Sequence, residues 1–367
     1  MAGVRPIGEP IALSSDVVAR YPRPRATIAA MLQPAYASIG DLALRHGGVL
    51  RDARLAYVTS GTLAQDGRNA VLLTHGYTSS HLFADGGAAS EGSWSPLVGP
   101  GRAIDTDRFF VVSSNMLGSS FGSTGPGSPD PATGRPYGPD FPRLTLADIV
   151  AAQRRLVEGL GVRQLAAVVG PSYGGFQAFA WGVEHPEFVR AIAPVTTAPR
   201  MAGAIDLAPT RARLAADPAW NGGRYAAGAM VDTMTALRED TLRRYGIEAA
   251  LSAHIADPAA RAEALRAIAR RWAEVFDPHS LLVLGDAANQ FDATPQFARL
   301  RARVLFVLST TDALFPPALA APVMAALRAA GVEASYEELD SPYGHLAPGL
   351  DAVKWAPALA RLMASVA

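Results

Sequence analysis

Three residues of this chain have the types and the surroundings of a nucleophile, an orienting carboxylate and a base. Ser172 stands in Gly170-Pro171-Ser172-Tyr173-Gly174-Gly175, directly after the apolar run Leu165 to Val169 and just before a helical pattern over Gln177 to Glu184. A serine on a sharp strand-to-helix turn carries its hydroxyl clear of the sheet. The flanking glycines leave no Cβ to strike the neighbouring strand or helix. The following helix points its N-terminus at that hydroxyl and favours negative charge there. Ser172 as a mere helix cap is the plainer alternative, outweighed by what lies downstream.

A serine hydroxyl attacks poorly until a base takes its proton. In this kind of turn the chain order is serine, then Asp or Glu, then His, which leaves His254, His279 and His345 as candidates. The first two fall in a stretch that reads as helical. His345 closes the loop Ser341-Pro342-Tyr343-Gly344-His345, after a strand-like Glu333 to Leu339. The carboxylate belongs on the preceding strand, where Val304 to Leu308 leads through Ser309-Thr310-Thr311 to Asp312. Asp312 would hold the imidazole tautomer and stabilise the imidazolium as it forms. Singly, Asp312 could be a helix cap and His345 a surface loop residue; arriving together in this order they make a triad. Leu72 to Thr78 ends another apolar run in a His75-Gly76 turn. The backbone N–H groups of Tyr77 and Tyr173 are then the pair placed to bind an oxyanion, with His75 packing the turn. The chemistry implied is acyl transfer through an acyl-serine.

These residues need a scaffold that brings several strand ends together. Short apolar runs at 70–73, 109–112, 165–169, 191–195 and 304–308 read as strands buried on both faces. Helical stripes at Thr145 to Leu160 and Ala318 to Ala330 lie among them, the second ending at Gly331. Strand alternating with helix predicts an α/β fold with a mostly parallel central sheet. Partial alternation from Gly40 to Ser60, with a turn at Gly47-Gly48, predicts an antiparallel pair at one edge. Residues 1–40, proline-rich early on, read as an arm or a peripheral helix. The stretch 200–296 is rich in Ala, Arg and Leu, and Ala249 to Val275 reads as one helix. The expectation is a core domain of 1–199 and 297–367 with a helical cap inserted at 200–296.

Composition narrows the partners to small molecules. With 33 basic and 33 acidic residues, the formal net charge is zero and no dense basic block occurs, so neither nucleic acid nor an anionic membrane is expected. No apolar run reaches the 18 or so residues that span a bilayer. The N-terminal residues lack a secretory pattern, so a cytoplasmic location is expected. The absence of cysteine excludes disulfides, thiolate metal sites and a cysteine nucleophile. The histidines lack ligand spacing, so no metal and no cofactor are expected. Among the basic residues Lys354 is the one lysine.

The loop between 114 and 153 carries Asn115-Met-Leu-Gly118, Gly122-Ser-Thr-Gly-Pro126, Pro131-Ala-Thr-Gly134, Pro136-Tyr-Gly138, Phe141-Pro142 and Ala152-Gln153. Together with Gly99-Pro-Gly101, Asp217-Pro218-Ala219-Trp220 and Tyr336-Glu-Glu-Leu-Asp-Ser341, it resembles the homoserine O-acetyltransferase family of α/β-hydrolase enzymes, from about residue 42 to 350. That resemblance implies an acyl-enzyme formed from acyl-CoA as co-substrate, a homodimer built through the helical cap, and catalytic roles for Ser172, Asp312 and His345. It also implies a carboxylate-binding Arg at Arg238. The family places Asp directly after the catalytic histidine, to meet the acceptor's amino group; here that position is Leu346. Leucine cannot pair with an ammonium. The expectation is therefore a carboxylic ester hydrolase acting on small acetate-type esters, with an acyl-CoA-dependent O-acyltransferase as the alternative. Amide or thioester hydrolysis would use the same triad.

Overall fold

The structure, a computed structural model, describes residues 34–84, 93–201 and 203–367. Of the stretch read as an arm or peripheral helix, residues 1–33 lie outside the described residues, and 35–40 are strand.

Eight strands form one sheet: β1 (Ala35–Ala43), β2 (Val49–Ser60), β3 (Ala70–Thr74), β4 (Phe110–Ser114), β5 (Leu165–Pro171), β6 (Ala191–Val195), β7 (Arg303–Ser309) and β8 (Ala334–Leu339). Their spatial order is β1-β2-β4-β3-β5-β6-β7-β8. The β1–β2 and β2–β4 pairs are antiparallel and the rest parallel. The apolar runs become strands because both their faces are covered, which is the setting of a parallel sheet: every residue of β3 and β6 is buried. The mostly parallel α/β-hydrolase architecture expected from the sequence is therefore present.

One face is covered by α1 (Leu146–Gly159), α2 (Tyr173–Glu184) and α8 (Ala320–Ala329), with Phe179, Trp181 and Leu327 in that layer. The other is covered by α10 (Ala352–Ala364), which buries Trp355, Leu359 and Met363 and follows the short α9 (Ala347–Leu350). α1 starts where the sequence places a complete capping box: Thr145 accepts from the Asp148 N–H while Asp148 accepts from the Thr145 N–H. Beside α10, Lys354 donates to the Asp340 carbonyl and to Asp351, each at 2.9 Å.

Between β6 and β7 the described residues form α3 (Ala208–Ala215), α4 (Val231–Arg244), α5 (Ile247–Ser252), α6 (Pro258–Ala273) and α7 (Pro278–Asn289). The single helix expected over Ala249 to Val275 is two. α5 stops at Ser252 and α6 begins after Asp257, whose side chain accepts from the Ala259 and Ala260 N–H groups, with Pro258 at the first helical position. An Asp-Pro pair is a helix start, a local signal that overrides the continuous alanine-rich periodicity around it.

A buried polar chain ties the two helices that flank the nucleophile. Gln153 on α1 donates to Ser114 and Gln177 and accepts from the Trp181 indole at 2.8 Å; Gln177 donates to the His75 carbonyl at 3.1 Å. Gln153→Ala leaves the Trp181 N–H and the Gln177 carbonyl oxygen without these partners. The expected cost is ~1–3 kcal/mol for each orphaned group, read as a lower urea midpoint at unchanged slope. An unchanged midpoint would show that the chain contributes nothing to stability.

Candidate active site

Ser172 links β5 to α2 with φ 55° and ψ −119°, a region that non-glycine residues enter only under constraint. The constraint is the closeness of two backbones. A Cβ on Gly170 would lie 2.1 Å from Thr74 Oγ1, and one on Gly174 2.1 Å from the Thr74 carbonyl oxygen. Both positions must be glycine, and the chain between them has no room for a wider turn. Hydrogen bonds hold the strained residue. Its N–H donates to the Val195 carbonyl at 2.8 Å, and its carbonyl accepts from Gly175, Phe176 and the Thr197 hydroxyl.

The other two triad candidates come from neighbouring strand ends. Because β7 and β8 pair in parallel, the loops after them emerge side by side. Two threonines fasten these loops together. Thr311 donates to the Ser341 carbonyl and accepts from the Gly344 N–H, and Thr310 accepts from the Ser341 N–H. Within this frame His345 Nδ1 lies 2.8 Å from Asp312 Oδ2, both side chains almost entirely buried. The Oδ1 oxygen accepts from the Leu314 and Phe315 N–H groups, so the carboxylate both orders its own loop and orients the imidazole. With Nδ1 donating to Asp312, Nε2 is left as the proton acceptor. The imidazole packs against two aromatic rings, Tyr245 at 4.8 Å and Phe315 at 5.7 Å between centroids.

Ser172 and His345 line one cleft with about 450 Å³ of empty space, its open mouth included. Gly76, Tyr77, Tyr245 and Leu346 contribute to its walls. Phe83 and Trp94 close another side, with Trp94 edge-on to Trp355 at 5.3 Å.

Tyr77 and Tyr173, expected as oxyanion donors, stack their rings at 5.8 Å, and Tyr77 lines the cleft. Tyr173 is the first residue of α2, so its N–H has no carbonyl one turn back. Each phenol reaches α7, Tyr77 donating to the Leu281 carbonyl and Tyr173 to the Leu284 carbonyl. Burial pushes both phenols well above the ordinary tyrosine range. His75 is fully buried; its Nε2 accepts from the Met116 N–H at 3.0 Å while Nδ1 bonds the Gly76 carbonyl. Burial pulls it down to about 3, so it is neutral and occupied, a packing residue.

Arg238 on α4 is buried, donates to Thr78 at 2.7 Å, and stacks over Trp272. It meets the turn that continues from Tyr77 and remains a cation, although burial lowers it to about 10. Leu346 packs among Leu242, Tyr245, Ile247 and Leu251. His254 is exposed after α5, and His279 is tied to the Gly223 carbonyl at 2.8 Å; neither lines the cleft. Sequence reasoning missed Tyr245, Phe315, Thr310 and Thr311. Only Gly246, a helix-stop signal after Tyr245, marked anything there, and it does not say where the turn docks. Among the described residues no cluster suited to a metal ion occurs, and no helix is long and apolar enough to cross a membrane.

Residues 69–351 match the α/β-hydrolase fold family. Over 334 residues the chain is 40% identical to a homoserine O-succinyltransferase of Methylibium petroleiphilum, covering 83% of this chain and 86% of that one. It is 37% identical to a homoserine O-acetyltransferase of Solidesulfovibrio magneticus, covering 83% and 84%. Among solved structures, esterase E22 superposes with a TM-score of 0.78 at 26% identity, over 91% of this chain and all of that one.

Asp312→Asn replaces the oxygen that fixes the His345 tautomer. Turnover of an acetate ester should fall about 10⁴-fold with the melting temperature retained; near-normal turnover would point to another carboxylate. A second expectation concerns acid. Burial holds His75 at about 3 and His81 at about 4, against about 6.5 in an unfolded chain. Below pH 6.5 the unfolded chain therefore gains protons that the native one refuses. Stability should fall as pH drops from about 6.5 to about 4, by roughly 1.4 kcal/mol per pH unit for each histidine. Urea unfolding at several pH values measures the slope. His81→Phe should reduce it, and an unaltered slope would mean His81 is not held neutral.

Proposed function

The chain belongs to the α/β-hydrolase fold family, on its homoserine O-acyltransferase-like branch, and on that premise we propose that it transfers a short acyl group from acyl-CoA to a small alcohol by way of Ser172. The observation that carries the chemistry is the bond between His345 and Asp312, with His345 Nε2 left as acceptor in the cleft that also holds Ser172. The 40% identity to a homoserine O-succinyltransferase and 37% to an O-acetyltransferase support an alcohol, rather than water, as acceptor. The comparisons thus favour the reading that the sequence ranked second.

In the first half-reaction Ser172 Oγ attacks the thioester carbonyl carbon as its proton passes to His345 Nε2. The Tyr77 and Tyr173 N–H groups receive the oxyanion, and Asp312 stabilises the imidazolium. Collapse breaks the carbon–sulfur bond, and His345 returns the proton to the leaving thiolate. The acceptor hydroxyl then gives its proton to His345 and attacks the acyl-serine; the second collapse breaks the acyl–Oγ bond, and His345 returns the proton to Ser172 Oγ. Arg238, which donates to Thr78 in the turn that continues from Tyr77, is the cation assigned to an acceptor carboxylate.

A second reading, hydrolysis of small acetate-type esters, is favoured by Leu346. It presents an apolar wall where an ammonium-bearing acceptor would need a carboxylate. The 26% identity to esterase E22 supports it too.

The test is a paired assay with purified protein, following CoA release from acetyl-CoA with and without homoserine, and acetate release from simple acetate esters. Homoserine-dependent CoA release is expected, lost by about 10³-fold or more in Ser172→Ala. Fast ester hydrolysis with no homoserine-dependent release would replace transfer by hydrolysis. Activity retained in Ser172→Ala would remove the nucleophile.

A further inference from the structure

His345 has a second set of attachments besides Asp312, and they come from the helices between β6 and β7. The His345 backbone N–H donates to the Tyr245 carbonyl at 3.1 Å. The Tyr245 ring packs on the imidazole at 4.8 Å, inclined at 50°. The next residue, Leu346, is buried among side chains of α4, α5 and α6, including Leu242, Leu251 and Leu265. The turn that does this is Tyr245-Gly246, between α4 and α5.

The two loops fit each other closely. Gly246 has φ 90°, and a Cβ there would lie 3.3 Å from the Tyr343 carbonyl oxygen. Gly344 has φ 56°, and a Cβ there would lie 3.0 Å from the Tyr245 carbonyl oxygen. Each glycine is left-handed and each faces the other loop's backbone, so the turn is seated on the histidine loop rather than merely near it. Phe315, three residues after Asp312, also packs against the imidazole, at 5.7 Å between centroids. The imidazole is thus in contact with an aromatic ring from the loop after β7 and with one from the turn between α4 and α5.

We infer that Tyr245 is a positioning residue for the base: it holds the His345 ring so that Nε2 meets the Ser172 proton, making the insertion half of the triad's support. This rests on the acyl-serine reading above. Asp312 fixes one nitrogen and still leaves the ring some swing about χ1 and χ2; the Tyr245 ring packed on the imidazole narrows that swing, and the Tyr245 carbonyl holds the backbone from which the ring hangs. The dependence of rate on such geometry is steep, since a displacement of about 1 Å can cost 10²-fold. Tyr245 is also part of the cleft wall; because its main action is through His345, its loss should slow the chemical step far more than it changes donor affinity.

The experiment uses the full chain and a readout of the first half-reaction only. Single-turnover acylation is followed as p-nitrophenol release from p-nitrophenyl acetate, with melting temperatures measured alongside. Tyr245→Leu keeps the carbonyl and the apolar burial but removes the ring. It should fold, slow acylation about 30–100-fold, and leave the apparent KM for the ester within about 2-fold. Tyr245→Phe keeps the ring and should restore most of the rate. Tyr245→Ala extends the series, and Tyr245→Leu decides the matter if Tyr245→Ala does not fold. Acylation by a folded Tyr245→Leu within about 2-fold of the parent overturns the proposal. So does a Tyr245→Phe rate as low as that of Tyr245→Leu, because the hydroxyl would then be the working group. Failure of the nucleophile assignment is read separately, as phosphonate labelling that persists in Ser172→Ala.

Discussion

The arrangement of the site follows from one close crossing, where the turn from Gly170 to Gly174 passes over the end of β3 with no space for a Cβ. A strand-to-helix turn pressed against Thr74 cannot relax, and Ser172 is left at φ 55° with its hydroxyl standing off the sheet. Strain of this kind persists only where neighbours over-determine it. Here they are the Val195 carbonyl, the Thr197 hydroxyl, and Thr74 itself, whose Oγ1 donates to the Gly174 carbonyl at 2.9 Å. Thr74 and Val195 are strand ends, so the crossing also bears on where the proposed oxyanion amides lie.

Parallel pairing supplies the remainder. β7 and β8 end together, and short loops from both deliver Asp312 and His345 to one place. The threonine pair between those loops replaces solvent as partner for their backbone groups, which lets the dyad be buried without orphaned amides. Buried and dry, the carboxylate–imidazole contact is stronger than it would be in water.

Much of this was legible in the residues. Continuous apolar runs identify buried parallel strands, and Gly-x-Ser-x-Gly between a strand and a helix identifies the turn, because both patterns answer to local sterics. Ser172, Asp312 and His345 could be ordered along the chain because such a turn is followed by an acid and then a histidine, each after a strand. What could not be read depends on contacts between distant segments. Tyr245 looks like any aromatic at a helix end, and Phe315 like any residue after a turn; only tertiary packing brings both against one ring. The helix expected over Ala249 to Val275 erred in the opposite direction, since its alanine-rich periodicity obscured the Asp257-Pro258 start. The tyrosines at 77 and 173 have a structural part as well: their hydroxyls tie the two turns expected to supply the oxyanion amides to carbonyls of α7. A smaller apolar side chain at either position would leave the turn and the helix unconnected.

The lone lysine has a bearing on how the molecule survives its own chemistry. Activated acyl groups form amides with any free amine they meet, and proteins rich in lysine accumulate such damage. Here the basic residues number 33 with a single lysine among them, and that one holds its ammonium between the Asp340 carbonyl and the Asp351 carboxylate. Arginine stays protonated and does not compete as a nucleophile. The charged surface is therefore nearly inert towards the electrophiles that the cleft would handle, whichever acceptor completes the reaction.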